Sequence, residues 1–309
     1  MTQSAENNHM KNTTFILVVV ALFLLVFILS SNTVHASGES CSNDKKYLVT
    51  SSQKTFCGVG RECSIKNGQP DCYPCNTNGG KIVVIILAGN DNREHVTDLL
   101  QKGANMIKES FSVNVNNNVN KEINIFLIPG RDGPKNSVKD TLSKIEDVLK
   151  NTNENDIMLF FYYGHGGELV MSVDNYNHKS IDVYQLEKVL NMAKAKTKIF
   201  IADSCYSGSF VEYFQKKDTK NIVVISSSLA DTMKCLITDT FAKVFADRVI
   251  LVMNGGAESN KVRNIVDYVN RVVRVQAGML DIRVGPKEQH VVNYGLIYPR
   301  NAEIPNFCQ

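Results

Sequence analysis

Two short segments carry side chains able to do covalent chemistry. One is Gly164-His165-Gly166-Gly167, which follows the apolar run Met158-Leu159-Phe160-Phe161-Tyr162-Tyr163. The other is Asp203-Ser204-Cys205-Tyr206-Ser207-Gly208-Ser209-Phe210, which follows Ile199-Phe200-Ile201-Ala202. A thiol of ordinary pKa, about 8.5, is only slightly ionised at neutral pH; an adjacent imidazole raises the thiolate fraction and can later protonate a leaving amine. The glycines beside His165 let the backbone turn sharply and let an extended chain come close. The amides of Gly166 and Cys205 can donate to an oxyanion as it forms. Taken singly, either residue has a structural reading: a histidine after a strand, or Cys205 bonded to Cys235. The shared placement, each in a small-residue turn behind a buried run and 40 positions apart, makes them a pair.

The pair needs a frame that brings strand ends together. Residues 81–88 hold a continuous β-branched run at 82–86, which suits a strand buried on both faces. Further strands are expected at 123–128, 156–163, 198–202, 222–225 and 291–298, with helices at 95–110, 139–150, 182–195, 240–253 and 261–275. This alternation implies an α/β fold with a mainly parallel sheet and helices on both faces. Chemistry in such sheets collects beyond the C-terminal strand ends, where His165 and Cys205 fall. Residues 37–79 differ: they are polar, poor in apolar periodicity and rich in cysteine, so disulfides must hold them. Asn78-Gly79-Gly80 reads as the joint between this module and the main domain, 80–300, which leaves 301–309 as a tail.

The 309-residue chain has a formal charge of +3 with Lys and Arg scattered among Asp and Glu, which excludes the clustered basic surface of a nucleic-acid binder. Residues 15–29 are continuously apolar, Lys11 precedes them, and Val34-His35-Ala36 offers small residues at the −3 and −1 positions of a cut after Ala36. This predicts a signal peptide over 1–36, with a type II membrane anchor as the alternative. The sequon Asn12-Thr13-Thr14 would leave with it. Eight cysteines agree with export. If Cys205 is free, Cys41, Cys57, Cys63, Cys72, Cys75 and Cys308 make a disulfide set whose connectivity the sequence leaves open. Zinc held through Cys72 and Cys75 is the lesser alternative in an oxidising compartment, and no metal or cofactor is expected.

The Tyr-Gly-His-Gly and Asp-Ser-Cys-Tyr-Ser-Gly-Ser-Phe segments resemble those of caspase-like cysteine peptidases, the clan of legumains, metacaspases and caspases. The 40-residue His-to-Cys interval and Cys-x-Ser-Gly-Ser are closer to the legumain branch, as is Leu87-Ala88-Gly89-Asn90 followed by Arg93 and His95. Asp-Ser-Cys itself is more similar to metacaspases, since legumains usually carry Glu-Ala-Cys. The resemblance covers residues 81–298 and implies a three-layer caspase/hemoglobinase-like fold with a six-stranded sheet. It implies His165 and Cys205 as a catalytic dyad, Gly166 as the oxyanion glycine, and Asp203, Asp239, Thr232, Arg93 and His95 as substrate-binding residues. Asn90 sits near the asparagine that orients the catalytic histidine in legumains, one residue out of step. Two departures stand out: no long C-terminal pro-domain follows, and the family does not ordinarily begin with a cysteine-rich module.

The resulting expectation is a secreted or lysosomal/vacuolar cysteine endopeptidase acting on polypeptides through an acyl-enzyme, without nucleic acid and without stable membrane association once the signal is removed. Asp203 and Asp239 in one pocket would favour Arg or Lys before the scissile bond, whereas the legumain-like spacing favours Asn. Related folds also perform transpeptidation or transamidation, as in asparaginyl ligases and the lipid-anchor transamidase. A non-catalytic scaffold binding partners through its cysteine-rich module is the third reading, and the intact pair argues against it.

Overall fold

Seven consecutive residues with no polar side chain, Ile82–Ala88, form strand β6, and every one of them is buried. A computed structural model describes residues 39–58, 61–75, 80–91, 93–113, 122–128, 137–174, 178–219, 221–228, 230, 241–255, 259–280, 296–299 and 301–304. In the N-terminal part lie strands β1 (Ser40–Cys41), β2 (Tyr47–Val49), β3 (Lys54–Phe56), β4 (Arg61–Lys66) and β5 (Gln69–Pro74). After β6 come helix α1 (Glu94–Val113), β7 (Ile123–Ile128), α2 (Val138–Lys150), β8 (Ile157–Tyr163), β9 (Gly166–Gly167), β10 (Val170–Asp174) and β11 (Lys179–Asp182). The chain continues through α3 (Val183–Met192), β12 (Thr197–Asp203), α4 (Gly208–Lys216), β13 (Ile222–Ser226), α5 (Phe241–Met253), α6 (Val262–Leu280) and β14 (Leu296–Tyr298).

The main sheet has the order β14-β13-β12-β8-β6-β7. Five strands run parallel and β14 closes one edge antiparallel to β13. Because side chains alternate across a strand, each continuous apolar run feeds two cores. Val84, Ile86, Leu159, Phe161, Ile199 and Ile201 face the layer of α1, α5 and α6. Val83, Ile85, Met158, Phe160 and Phe200 face α2, α3 and α4. The expected three-layer, mainly parallel six-stranded architecture is therefore present. The capping boxes of Ser137 with Asp140 and of Asp182 with Gln185 fix the starts of α2 and α3.

The cysteine-rich segment forms a three-stranded antiparallel sheet, β1-β2-β3, and a hairpin, β4-β5. Asn67 and Gly68, both at positive φ, make the two-residue hairpin turn. Cys41–Cys63 and Cys57–Cys72 disulfides tie the hairpin to the first sheet, and Cys75 is also disulfide-bonded. The segment is continuous with the main body. Phe56 is fully buried in the core on the α5 side of the sheet, and the Tyr47 hydroxyl donates to Asn260 Oδ1 at 2.9 Å. Gly58 and Gly255 interlock at positive φ. A Cβ on Gly58 would lie 2.6 Å from the Met253 carbonyl oxygen, and one on Gly255 would lie 2.7 Å from that of Cys57. From Ser40 onward the chain forms one compact unit. The expected signal segment, residues 291–295 of the expected last strand, Cys235 and Cys308 lie outside the described residues. Among those described, no helix is long and apolar enough to cross a membrane.

Candidate active site

Three parallel strands end at one level, since Tyr163 of β8 is in register with Ala88 of β6 and with Asp203 of β12. The loops that follow are stitched together by main-chain bonds. Gly89 N–H donates to the Tyr163 carbonyl at 2.9 Å, and Gly164 N–H to the Asp203 carbonyl at 3.3 Å. Gly89 and Gly164 pack backbone to backbone, so a Cβ on Gly164 would sit 3.0 Å from the Gly89 Cα. The peptide of His165 is held from behind: its carbonyl accepts from Ser172 N–H at 2.9 Å and from the buried Tyr162 hydroxyl. Burial pushes the Tyr162 phenol far above its ordinary pKa, with the charge of nearby Cys205 adding to the shift, so this tether stays a donor at every working pH.

His165 and Cys205 follow the ends of two neighbouring, register-matched strands, β8 and β12. Gly166 lies directly against the Cys205 loop: a Cβ there would be 2.5 Å from both the Cys205 carbonyl oxygen and Ser204 Oγ. Cys205 is outside any disulfide and at intermediate exposure, followed by Tyr206 at φ 55°, an uncommon conformation for a residue with a Cβ. That turn is tied down by Ser209, whose hydroxyl donates to the Tyr206 carbonyl at 2.7 Å and accepts from Leu169 N–H at 2.9 Å. Behind it, Ser207 and Ser228 exchange side-chain and backbone hydrogen bonds of 3.0–3.1 Å, and Ser228 Oγ donates to the Ser204 carbonyl. The serines of this segment thus hold the loop in shape.

The carboxylate beside the imidazole belongs to Asp91. Its Oδ2 lies 2.9 Å from His165 Nε2, with the Asp91 side chain fully buried and that of His165 22% exposed. The contact lies off the line of the ring N–H and is not a straight hydrogen bond. Arg93 grips the same carboxylate, Nε to Oδ1 at 2.9 Å and Nη2 to Oδ2 at 3.2 Å, and this bond raises the guanidinium pKa. Asn90, expected to orient the histidine, is engaged elsewhere: its Oδ1 accepts from Asp91 N–H and from the Thr97 hydroxyl, closing the turn into α1. The sequence reading passed over Asp91. It stands three residues beyond β6, the same placement that singled out His165 and Cys205.

The other expected site residues scatter. Arg93 reaches the site through Asp91, with 56% of its side chain exposed. His95 is exposed on the first turn of α1. Asp203 is fully buried, and its Oδ2 accepts from Ala242 N–H, at the head of α5, at 2.8 Å. Thr232, Asp239 and Cys235 lie outside the described residues. Among those described, no cluster of three metal-ligating side chains occurs.

A thiol outside any disulfide, an imidazole and a buried carboxylate stand at the ends of parallel strands inside a three-layer α/β/α body. Residues 130–306 match the sequence profile of the Peptidase C13 family, and this chain belongs to that family, the legumain family. Membership carries cysteine peptidase or related transamidase-type activity on polypeptide substrates. Comparison with curated proteins gives no match. The matched residues include His165 and Cys205 and begin after Asp91.

Proposed function

We propose that the protein is an exported cysteine endopeptidase in which Cys205 is the nucleophile, His165 the general base and acid, and Asp91 the residue that orients His165. With Nε2 beside the Asp91 carboxylate, Nδ1 is the nitrogen that takes the thiol proton. The thiolate attacks the scissile carbonyl carbon, and the resulting oxyanion accepts from the amides of Gly166 and Cys205. Collapse of the tetrahedral intermediate breaks the C–N bond while His165 returns the proton to the departing amine. Water, deprotonated by His165, then cleaves the thioester and regenerates the thiol. Asn or a basic residue precedes the scissile bond, and the signal segment directs the chain to the exterior or to a lysosome or vacuole.

The observation that carries this reading is the convergence of Asp91, His165 and Cys205 on three register-matched strand ends, with Gly166 against the nucleophile's own backbone. The test is hydrolysis of peptide amides ending in Asn, Arg or Asp, with Cys205→Ala in parallel and with an added amine. Loss of Asn or Arg cleavage in the variant is the expected result. Hydrolysis that survives Cys205→Ala overturns the nucleophile assignment, and capture of the amine in place of water converts the reading to a transamidase.

A further inference from the structure

We propose that the groove between α5 and α6 is a binding site for a small oxyanion, a carboxylate or a phosphate, taken between Arg248 and Arg271. The groove shares no residue with the thiol site, and binding there does not depend on peptidase chemistry. It encloses about 190 Å³. Asn264, Tyr268 and Arg271 follow one another at intervals of four and three along α6, so they share one face of that helix. Arg248, on α5, reaches the same place: its guanidinium carbon lies 4.3 Å from the centre of the Tyr268 ring. Contact with the ring face holds the cation there.

A guanidinium carries five N–H donors and keeps its charge at every working pH. The ring contact satisfies none of those donors. Among the described residues, neither Arg248 nor Arg271 has a carboxylate within ion-pair distance or an acceptor for its N–H groups. Asp267, the one acid in the lining, lies 3.9 Å from Arg263, and both of those side chains are mostly exposed. Its charge is therefore partly offset and well screened, and the two unanswered cations outweigh it. Arg248 and Tyr268 are half-buried, so a charge beside them is screened less than on an open surface. Ile265, 1% exposed, supplies the apolar part of the lining. Ser259 Oγ accepts from Lys261 N–H at 3.1 Å, which leaves its own proton to donate. A neutral or cationic ligand would leave both guanidinium groups without acceptors. The planar fork of arginine matches paired oxygens of a carboxylate or a phosphate.

Calorimetric titration of the purified protein at low ionic strength provides the test, with inorganic phosphate in one arm and citrate in the other. The expected result is saturable one-site binding of at least one of them, with a Kd of about 1 mM or tighter, a gain within reach of so small a ligand. The tighter of the two assigns the natural ligand to the phosphoryl or the carboxyl class. Arg248→Gln and Arg271→Gln should each weaken binding about tenfold or more, the loss of a charge-assisted contact. Lys188→Gln removes an exposed cation from α3, in the opposite helical layer, and should change the affinity by less than about twofold. Asp267→Asn removes the opposing charge and should tighten binding about threefold; a misfolded variant could not produce that gain. Absence of saturable binding with both anions overturns the proposal. So does equal affinity in the wild type and in a protein carrying both Arg248→Gln and Arg271→Gln.

Discussion

Adding one methyl group to Gly166 separates the catalytic frame from the fold that carries it. The new Cβ would stand 2.5 Å from Ser204 Oγ and 2.5 Å from the Cys205 carbonyl oxygen. The serine hydroxyl can rotate away, whereas the carbonyl is main chain of the nucleophile itself. Ordinary contact needs roughly 3.4 Å, so the two loops must part by about 1 Å, a displacement that typically costs about 100-fold in rate when it falls on reacting groups. Misdirecting the Gly166 amide removes an oxyanion donor as well, an effect of about 100- to 1,000-fold in comparable sites. Gly166→Ala should therefore lower kcat by at least about 100-fold with KM nearly unchanged, because the oxyanion contact exists only in the transition state. Gly167→Ala is the control: its Cβ would meet only Val170 Cγ2, at 3.0 Å, and a side-chain methyl can yield. Initial rates on a fluorogenic peptide amide, normalised by active-site titration, give both numbers. A Gly166→Ala enzyme that retains more than about a third of wild-type kcat would refute the contact between the two loops as the source of catalysis.

Asp91→Ala should reduce kcat/KM by about 100-fold or more, the usual worth of correctly positioned acid–base chemistry; Asn90→Ala, read in the same assay, should mainly weaken the turn into α1. Phe56→Ala empties a fully buried site and should cost about 3–5 kcal/mol, lowering the melting temperature by roughly 6–20 °C in a domain of this size; a loss under 1 kcal/mol would show that the cysteine-rich segment is not part of the core. Glu187 is drawn upward by its own burial, but bonds from Lys217 and Tyr213 prevail and hold its pKa below the usual carboxylate range. Its contribution to stability is thus present above the ordinary carboxylate pKa and lost as pH falls through the lowered value. The stability gap between wild type and Glu187→Gln should accordingly be open at neutral pH and close in acid, by denaturant melts across that range.

Periodicity made the sheet legible. β8 is a long apolar run buried throughout and β7 a mostly apolar, partly buried one, and their expected limits agree with the structure to within a residue. Elements that depend on tertiary pairing were less visible. The β9-β10-β11 sheet begins with two glycines, which carry no hydrophobic signal, and α4 begins inside the serine-rich nucleophile segment. The strands of the cysteine-rich segment owe their order to disulfides and to Phe56 more than to amphipathic pattern. At the site, residue type and position behind a strand single out His165 and Cys205 as candidates. They did not choose between Asn90 and Asp91, because that choice depends on which side chain closes the turn into α1 and which is left facing the imidazole. Nor could they show that Asp203 points inward, a consequence of strand parity and of where α5 begins.

A reactive thiol in a disulfide-bonded chain has to be kept from thiol–disulfide exchange, which needs sulfur-to-sulfur contact and Cα atoms within about 7 Å. Helix α5 supplies the separation. Its head is held at Asp203, two residues from Cys205, through Ala242 N–H. Its tail abuts the cysteine-rich segment, where Gly58 meets the Met253 carbonyl and Gly255 meets that of Cys57, one half of the Cys57–Cys72 bridge. From Ala242 to Met253 a straight helix spans about 16 Å. That length sets the Cys57–Cys72 bridge apart from Asp203 and from Cys205 two residues on. Neither end of the arrangement tolerates slack: the glycine interlock admits no Cβ at the tail, and the buried carboxylate at the head would be costly without its N–H partner.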